Sequence, residues 1–332
     1  MDIVEFEPEQ YAFTFGGRPP QLRVEPGTAV TLTTEDCFSG RVRSVDDLPS
    51  RVCDLSTMNP VTGPIEVIGA EPGDLLAVHF AAITPTRDWA MSSTFPHFGA
   101  LTTSHQTPML HPALEERVWR YDVDVAAGTV TYHARASEFD VVLPLDPMHG
   151  TVGVAPAGGE VISTLTPAAH GGNLDTPELR AGTTLYLPVN VPGAMLSLGD
   201  GHCRQGESEI CGVAVEAAMR TTIVVDVVPG AAPDWPRLEN DDFLITTGAV
   251  RGLTDANRIA QYELIGWLAD LTGLDRLDAL QLVSQTGLAP VGNMVDTNFT
   301  MIGKLPVSVL GGRRPYDGVH ARLRAAAGQL AG

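Results

Sequence analysis

The stretch Tyr121-Asp122-Val123-Asp124-Val125 alternates apolar and charged side chains, the period-two signature of a strand with one face buried and one face wet. It runs through Ala126-Ala127-Gly128 into a second apolar run, Val130–Ala136. A short connector ending in glycine suits a hairpin, with Gly128 taking a positive φ that other residues resist. The same pattern extends from Thr28 to about Gly248. Short apolar runs occupy Val30–Leu32, Ile65–Ile68, Leu75–Ile83, Trp119–Val125, Phe139–Leu145, Thr184–Val191, Met195–Leu198, Ile210–Arg220 and Thr222–Val228. Gly, Pro and Asp divide them, and 34 glycines and 25 prolines supply the turns. Strands spaced in this way predict a sandwich or barrel-like β core.

Two later segments change period. Thr254–Leu271 repeats at helical spacing, with Ile259, Tyr262, Trp267 and Leu271 on the expected buried face, Thr254 or Asp255 as N-cap and Gly273 as the stop. A second helix is expected from Leu274 or Asp275 to about Gln285, burying Leu277, Leu280 and Val283. Arg313–Gly332 reads as a terminal helix or a frayed tail. The fold class is therefore α+β and predominantly β. A β-rich core over 1–248 carries most of the site motifs, and a helical and mixed portion over 249–332 packs on it.

Charge excludes several function classes. The 21 Lys+Arg against 40 Asp+Glu leave a formal charge of −19, so nothing here would neutralise a nucleic-acid backbone or an anionic membrane surface. Lys304 is the only lysine, which disfavours Glu-Lys-Cys and Ser-Ser-Lys amidases. The longest uncharged stretch, Ala181–Gly199, is broken by Pro188 and Pro192 and reads as strands rather than a membrane span. Cys37, Cys53, Cys203 and Cys211 form no CxxC pair and read as reduced core thiols. With no basic and apolar leader at Met1–Glu5, the expected location is the cytoplasm.

Polar residues concentrate in the middle of the chain. His170-Gly171-Gly172-Asn173-Leu174-Asp175 is followed by a strand and then by Gly199-Asp200-Gly201-His202-Cys203-Arg204-Gln205-Gly206-Glu207-Ser208-Glu209. On an extended backbone Asp200 and His202 point to one side, as do Glu207 and Glu209. A carboxylate and an imidazole projecting together suit a divalent cation such as Zn²⁺, although an isolated D-x-H is commonly a surface ion pair. Glu216 sits in an apolar run and needs a partner. Either it pairs with Arg220, four residues on, or it serves as a metal ligand or general base. His79 reads as a satisfied core histidine, and His97, His105, His111 and His149 as loop residues, mostly solvated.

The chain resembles the acetamidase/formamidase family. The run His170–Asp175, Leu185–Val189 with Val191–Ala194, Gly199–His202 with Gln205-Gly206, and Glu209-Ile-Cys-Gly212 carry the likeness. So do Asn59–Pro64, Ala70–Asp74 and Gly150–Pro156. The resemblance implies hydrolysis of a short carboxamide, of the formamide or acetamide type, to a carboxylate and ammonia. It also implies a β-rich fold, zinc as the divalent metal with calcium as a second possible ion, and a homo-oligomer built from dimers. On this reading Asp200 and His202 are ligands, and Asp36, His170 and Asp175 are further candidates. Glu216 or Glu209 moves the proton, and Asn173 binds the substrate amide. One departure stands out: the family's Gly-Asp-Gly-Glu stretch is Gly206-Glu207-Ser208-Glu209 here, which alters the loop's reach. The alternative function is a metal-stabilised small-molecule binder on the same scaffold, without turnover.

Overall fold

Along the strand Leu75–Pro85, Leu76, Val78 and Phe80 enter one hydrophobic core while Leu75 and Ala77 enter a second. Successive side chains leave opposite faces of a strand, so this strand lies between two cores. Its first six residues are all buried, as expected when a sheet is covered on both sides. The computed structural model describes residues 3–330.

Leu75–Pro85 belongs to a nine-stranded sheet. The order across it is Ile3–Phe6, Ala29–Thr34, Met219–Val228, Leu75–Pro85, Thr184–Pro188, Arg237–Glu239, Phe243–Val250, Phe299–Pro306 and Val291–Asn293. A five-stranded sheet runs Gly171–Asn173, Met148–Gly153, Leu196–His202, Val61–Val67 and Leu22–Val24. Its Val67, Val152, Leu196 and Leu198 meet Val30, Phe80, Leu185, Ile223 and Ile245 of the large sheet in the first core. The second core lies on the other side of the large sheet, where Tyr186, Val224, Leu244 and Leu305 meet helical Leu264, Trp267, Leu268, Val283 and Leu323. The result is a β sandwich with helices covering the outer face of its larger sheet. Burying each such large side chain is worth about 1.5–3 kcal/mol.

The hairpin forms as its sequence suggests. Arg117–Asp124 pairs with Thr129–His133 in a register of Asp122 to Thr131 and Val123 to Val130, and Gly128 has φ +66°. Val123 and Val130 are buried while Asp122 and Asp124 face water. Two further strands, Trp89–Thr94 and Asp140–Pro144, complete this four-stranded sheet.

The longer helices run over Leu253–Thr272, Arg276–Thr286 and Val319–Gly328. Gly273 stops the first in a left-handed conformation, and Asp275 caps the second by accepting from the Leu277 and Asp278 amides. The first has no side-chain N-cap at Thr254 or Asp255; Gly252 occupies that position. The buried faces match expectation at Trp267 and Val283 but differ elsewhere. Tyr262 is 60% exposed, Leu277 76% and Leu280 46%, and the buried positions are Ala256, Ala260, Leu264 and Trp267 on the first helix and Ala279 and Val283 on the second. Small residues win because the first helix lies close to the sheet. A Cβ on Gly248 would come within 2.8 Å of Ile259 Cβ.

Residue 248 falls inside the strand Phe243–Val250, and the chain beyond it adds the strands Val291–Asn293 and Phe299–Pro306 to the large sheet. Among the described residues, no helix is long and apolar enough to cross a membrane.

Candidate active site

The strand Leu196–His202 lies between Met148–Gly153 and Val61–Val67 and ends on Asp200, Gly201 and His202. Asp200 has φ +57°, and Asp175 and Glu209 have φ +45° and +50°. Left-handed backbone at a non-glycine residue costs on the order of 1–3 kcal/mol and persists only where surrounding structure imposes it. Here it swings three carboxylates toward one point. Gly150, on the adjacent strand, leaves the space that Asp175 and Asp200 need. A Cβ there would contact Asp175 Oδ1, lie 2.6 Å from Asp200 Oδ2 and lie 3.0 Å from His202 Cε1.

His202 is at the centre. Its Nδ1 lies 2.9 Å from Gln205 Oε1, and the Gln205 amide nitrogen donates to the Asp175 carbonyl at 2.7 Å. That direction makes Nδ1 a donor and turns Nε2 inward toward the carboxylates. Nε2 lies 3.4 Å from Asp200 Oδ1 and 3.3 Å from Glu216 Oε2. These three atoms and Asp175 Oδ1 are all buried, and none has a hydrogen-bond partner. Four donor atoms left bare in an interior are costly unless something of opposite charge sits among them. Donor atoms of Asp175, Asp200 and His202, and of His202, Glu209 and Glu216, lie within 4.8 Å of one another.

The remaining polar atoms are tied down. Asn59 Nδ2 donates to Asp200 Oδ2 at 3.0 Å and to Asn173 Oδ1 at 3.2 Å. The Thr151 hydroxyl also donates to Asn173 Oδ1 and to Asp200 Oδ2, the latter at 3.1 Å. Asn173 Nδ2 donates to Asp296 Oδ2 at 2.7 Å, and Asn293 Nδ2 bridges Asp175 and Asp296.

Electrostatics follow from burial. Burial pushes the Glu216 carboxyl up to about 7 although His202 pulls it down, and burial lifts Asp296 to about 7 as well. Burial, reinforced by neighbouring carboxylates, holds Asp175 and Glu209 well above the usual range. Asp200 is the exception: burial pushes it up, but the facing His202 outweighs this and leaves it below its ordinary value. Burial disfavours charge on His202, yet Glu216 and Asp200 more than compensate and raise it well above its ordinary value.

A cavity of about 50 Å³ opens onto this cluster. Asn59, Asn173, Asp200, Glu209, Glu216 and Asp296 supply its polar wall, and Met58, Phe95, Phe98, Leu165 and Val213 its apolar one, with Cys37 also on the lining. At roughly 10–15 Å³ per water-sized group, it has room for three to five heavy atoms. Glu209 also lines an open surface depression beside Arg204–Glu207 and Tyr121.

Of the expected site residues, Asn173, Asp175, Asp200, His202, Glu209 and Glu216 converge. Asp36 does not join them. Its Oδ1 accepts from the Phe38 and Gly40 amides at 3.0 and 2.9 Å, and its Oδ2 binds Arg87 at 2.7 Å. It anchors a turn instead. His170 also stands apart, its ring edge-on to Phe15 at 5.0 Å and its pKa lowered to about 4 by burial alone, with no charged neighbour. Glu207 faces solvent while Glu209 is buried, because left-handed residues at Ser208 and Glu209 break the alternation. Ile210–Arg220 is not a strand; regular pairing begins at Met219, and Glu216 makes isolated bridges to Met91 and His202. Arg220 pairs with Glu5, not Glu216. His79 is satisfied by Thr184 at 2.9 Å, as expected. His149 is fully buried, its two nitrogens within 2.8 Å of the Gly199 carbonyl and 2.7 Å of the Thr221 hydroxyl. Sequence reasoning assigned no site role to Asn59, Thr151, Asn293, Asp296 or Cys37, although Asn59 and Thr151 lay in recognised motifs.

Comparison with known proteins places this geometry in context. The sequence profile of the Acetamidase/Formamidase family matches residues 17–161 and 154–251. An acetamidase of Mycolicibacterium smegmatis is 29% identical over 276 residues, 68% of this chain and 68% of the relative. A formamidase of Methylophilus methylotrophus is 29% identical over 252 residues, 63% of this chain and 62% of the relative. The chain thus spans about two thirds of the length of the curated relatives it matches. Among solved structures, an acetamidase from Yersinia enterocolitica is 38% identical with a TM-score of 0.86, covering 93% of both chains. One from Bacillus halodurans is 30% identical with a TM-score of 0.84, covering 93% of this chain and 99% of that one. With this fold, this profile and these relatives, the chain belongs to the acetamidase/formamidase family.

Proposed function

We propose that the protein hydrolyses a short linear carboxamide, of the formamide or acetamide type, to its carboxylate and ammonia, using a divalent cation held by Asp175, Asp200, His202 and Glu216. The observation that carries this reading is the set of four buried, unbonded donor atoms of Asp175, Asp200, His202 and Glu216. One imidazole nitrogen among carboxylate oxygens fits zinc, whereas calcium sites are built from oxygen alone. A cation bound there supplies the positive charge that polarises an amide carbonyl and acidifies a water. Gln205 holds the His202 ring in the tautomer such a ligand needs.

The chain's own residues account for the rest. Both N–H groups of Asn59 are engaged, so its carbonyl oxygen is what it offers to a substrate NH₂ group. Asn173 keeps one N–H beyond the Asp296 bond. Glu209, between the cavity and the surface depression, takes the proton of the attacking water and returns it to the leaving nitrogen, since NH₂⁻ is too basic to depart unaided. The phenyl rings of Phe95 and Phe98 and the small cavity exclude bulky acyl groups.

Metal analysis and an ammonia assay test the proposal. About one equivalent of zinc in the active protein, with turnover lost on chelation and restored by zinc, is the expected result. Full ammonia release from a preparation shown to be metal-free overturns it. Saturable amide binding without product supports the binding-protein alternative.

A further inference from the structure

Cys37 shares the carboxylate cluster. Its sulfur lies within 4.8 Å of oxygens of both Asp200 and Glu216, and all three side chains are buried. It lines the same cavity and is only 5% exposed. The backbone holds it in place from both sides. Asp36 closes the turn around it through the Phe38 and Gly40 amides and is itself fixed by Arg87. The Cys37 carbonyl accepts from the Asn59 amide at 2.9 Å, and the Asn59 side chain grips Asp200. A thiol needed only to fill space would not require a clamped turn ending on two carboxylates with bare oxygens.

We infer that Cys37 is a sulfur ligand of the cation in this site, sharing it with Asp200 and Glu216 and selecting zinc over calcium or magnesium. The inference rests on the proposed cation at the same cluster. On binding, the thiol proton passes to solvent and the sulfur bonds the cation. A nucleophilic role for Cys37 is disfavoured, because a bare thiolate would face the carboxylates of Asp200 and Glu216.

Zinc-edge X-ray absorption on the zinc-loaded wild-type chain provides the test and reads the ligand rather than the activity. The expected spectrum contains one sulfur at about 2.3 Å beside nitrogen and oxygen at about 2.0–2.2 Å. The sulfur shell disappears in Cys37→Ser and persists in a Cys53→Ser/Cys211→Ser double variant, which removes the two more accessible thiols. Should Cys37→Ser fail to fold, the double variant carries the test, since its other remaining thiol, Cys203, is packed in the inter-sheet core. Zinc bound with only nitrogen and oxygen neighbours overturns the inference and leaves the cation reading intact. No zinc retained by the wild-type chain overturns both. A covalent acyl adduct on Cys37 in a protein whose zinc shows no sulfur shell assigns the thiol to nucleophilic chemistry instead.

Discussion

Two buried polar clusters lie on opposite faces of the large sheet, and they balance charge differently. Under the helices, Arg237 bonds Glu263 and the Tyr316 hydroxyl, both at 3.1 Å, and lies over Trp267, while Tyr186 donates to Glu239 at 2.7 Å. Elsewhere Lys304 meets Glu178 and Arg87 meets Asp36. Each of these places supplies its own counter-charge or donor. The cluster of Asp175, Asp200, Glu209, Glu216 and Asp296 has one imidazole and no arginine or lysine among its bonded partners. A self-neutralised cluster stabilises a fold, whereas an unbalanced one is made to receive charge from outside.

Glu209→Gln sharpens the contrast most. Ammonia release at saturating substrate should fall by about 10²–10⁴, the usual worth of a general acid–base group, while thermal unfolding shows no loss of stability because the amide replaces a carboxyl whose charged form burial disfavours. A large drop in stability instead would make Glu209 structural. Arg237→Met on the other face should do the reverse. Leaving Glu263 buried and unpaired costs about 3–5 kcal/mol by denaturant titration, with kcat of the remaining folded enzyme unchanged. Gln205→Leu should weaken zinc affinity by about 10–100-fold through the freed His202 ring, read by competition with a chelating dye, without altering the fold by circular dichroism.

The smallest expected effect is a slope. Glu216 and Asp296 sit near 7 in the folded protein, above the ordinary values of 4.5 and 3.8. The folded state therefore holds more protons than the unfolded chain across that window. Stability of the metal-free protein is greatest at its acidic end and is lost as pH rises through about 7. Saturating zinc should flatten the trend. A metal-free melting temperature that climbs from pH 5 to 7 would contradict the assignment of these two carboxyls.

How legible the molecule is from its sequence differs by element. Period-two alternation at Tyr121–Asp124 and the continuous run at Leu75–Phe80 are local signals, and both strands form where they point. Asp200 and His202 share a short stretch, and Glu216 was conspicuous as a charge among apolar neighbours. Asp296 was not legible, because its role comes from a bond to Asn173 across 123 positions. Asp36 pointed to the right turn but the wrong side chain; its oxygens are spent on holding the turn, and the adjacent Cys37 reaches the cluster. The helix faces were misread for a related reason. Periodicity weighs large residues, and where a helix approaches glycine-bearing strands, Ala256 and Ala260 are what fit.

The left-handed backbone at Asp175, Asp200 and Glu209 has an evolutionary consequence. Glycine tolerates that conformation better than aspartate or glutamate, and each replacement would also remove a buried carboxyl. A library of this protein sorted for heat resistance alone, with zinc withheld, should therefore drift toward Gly at these positions, relieving strain as it loses chemistry. Survivors chosen for turnover should keep the acidic residues and melt earlier.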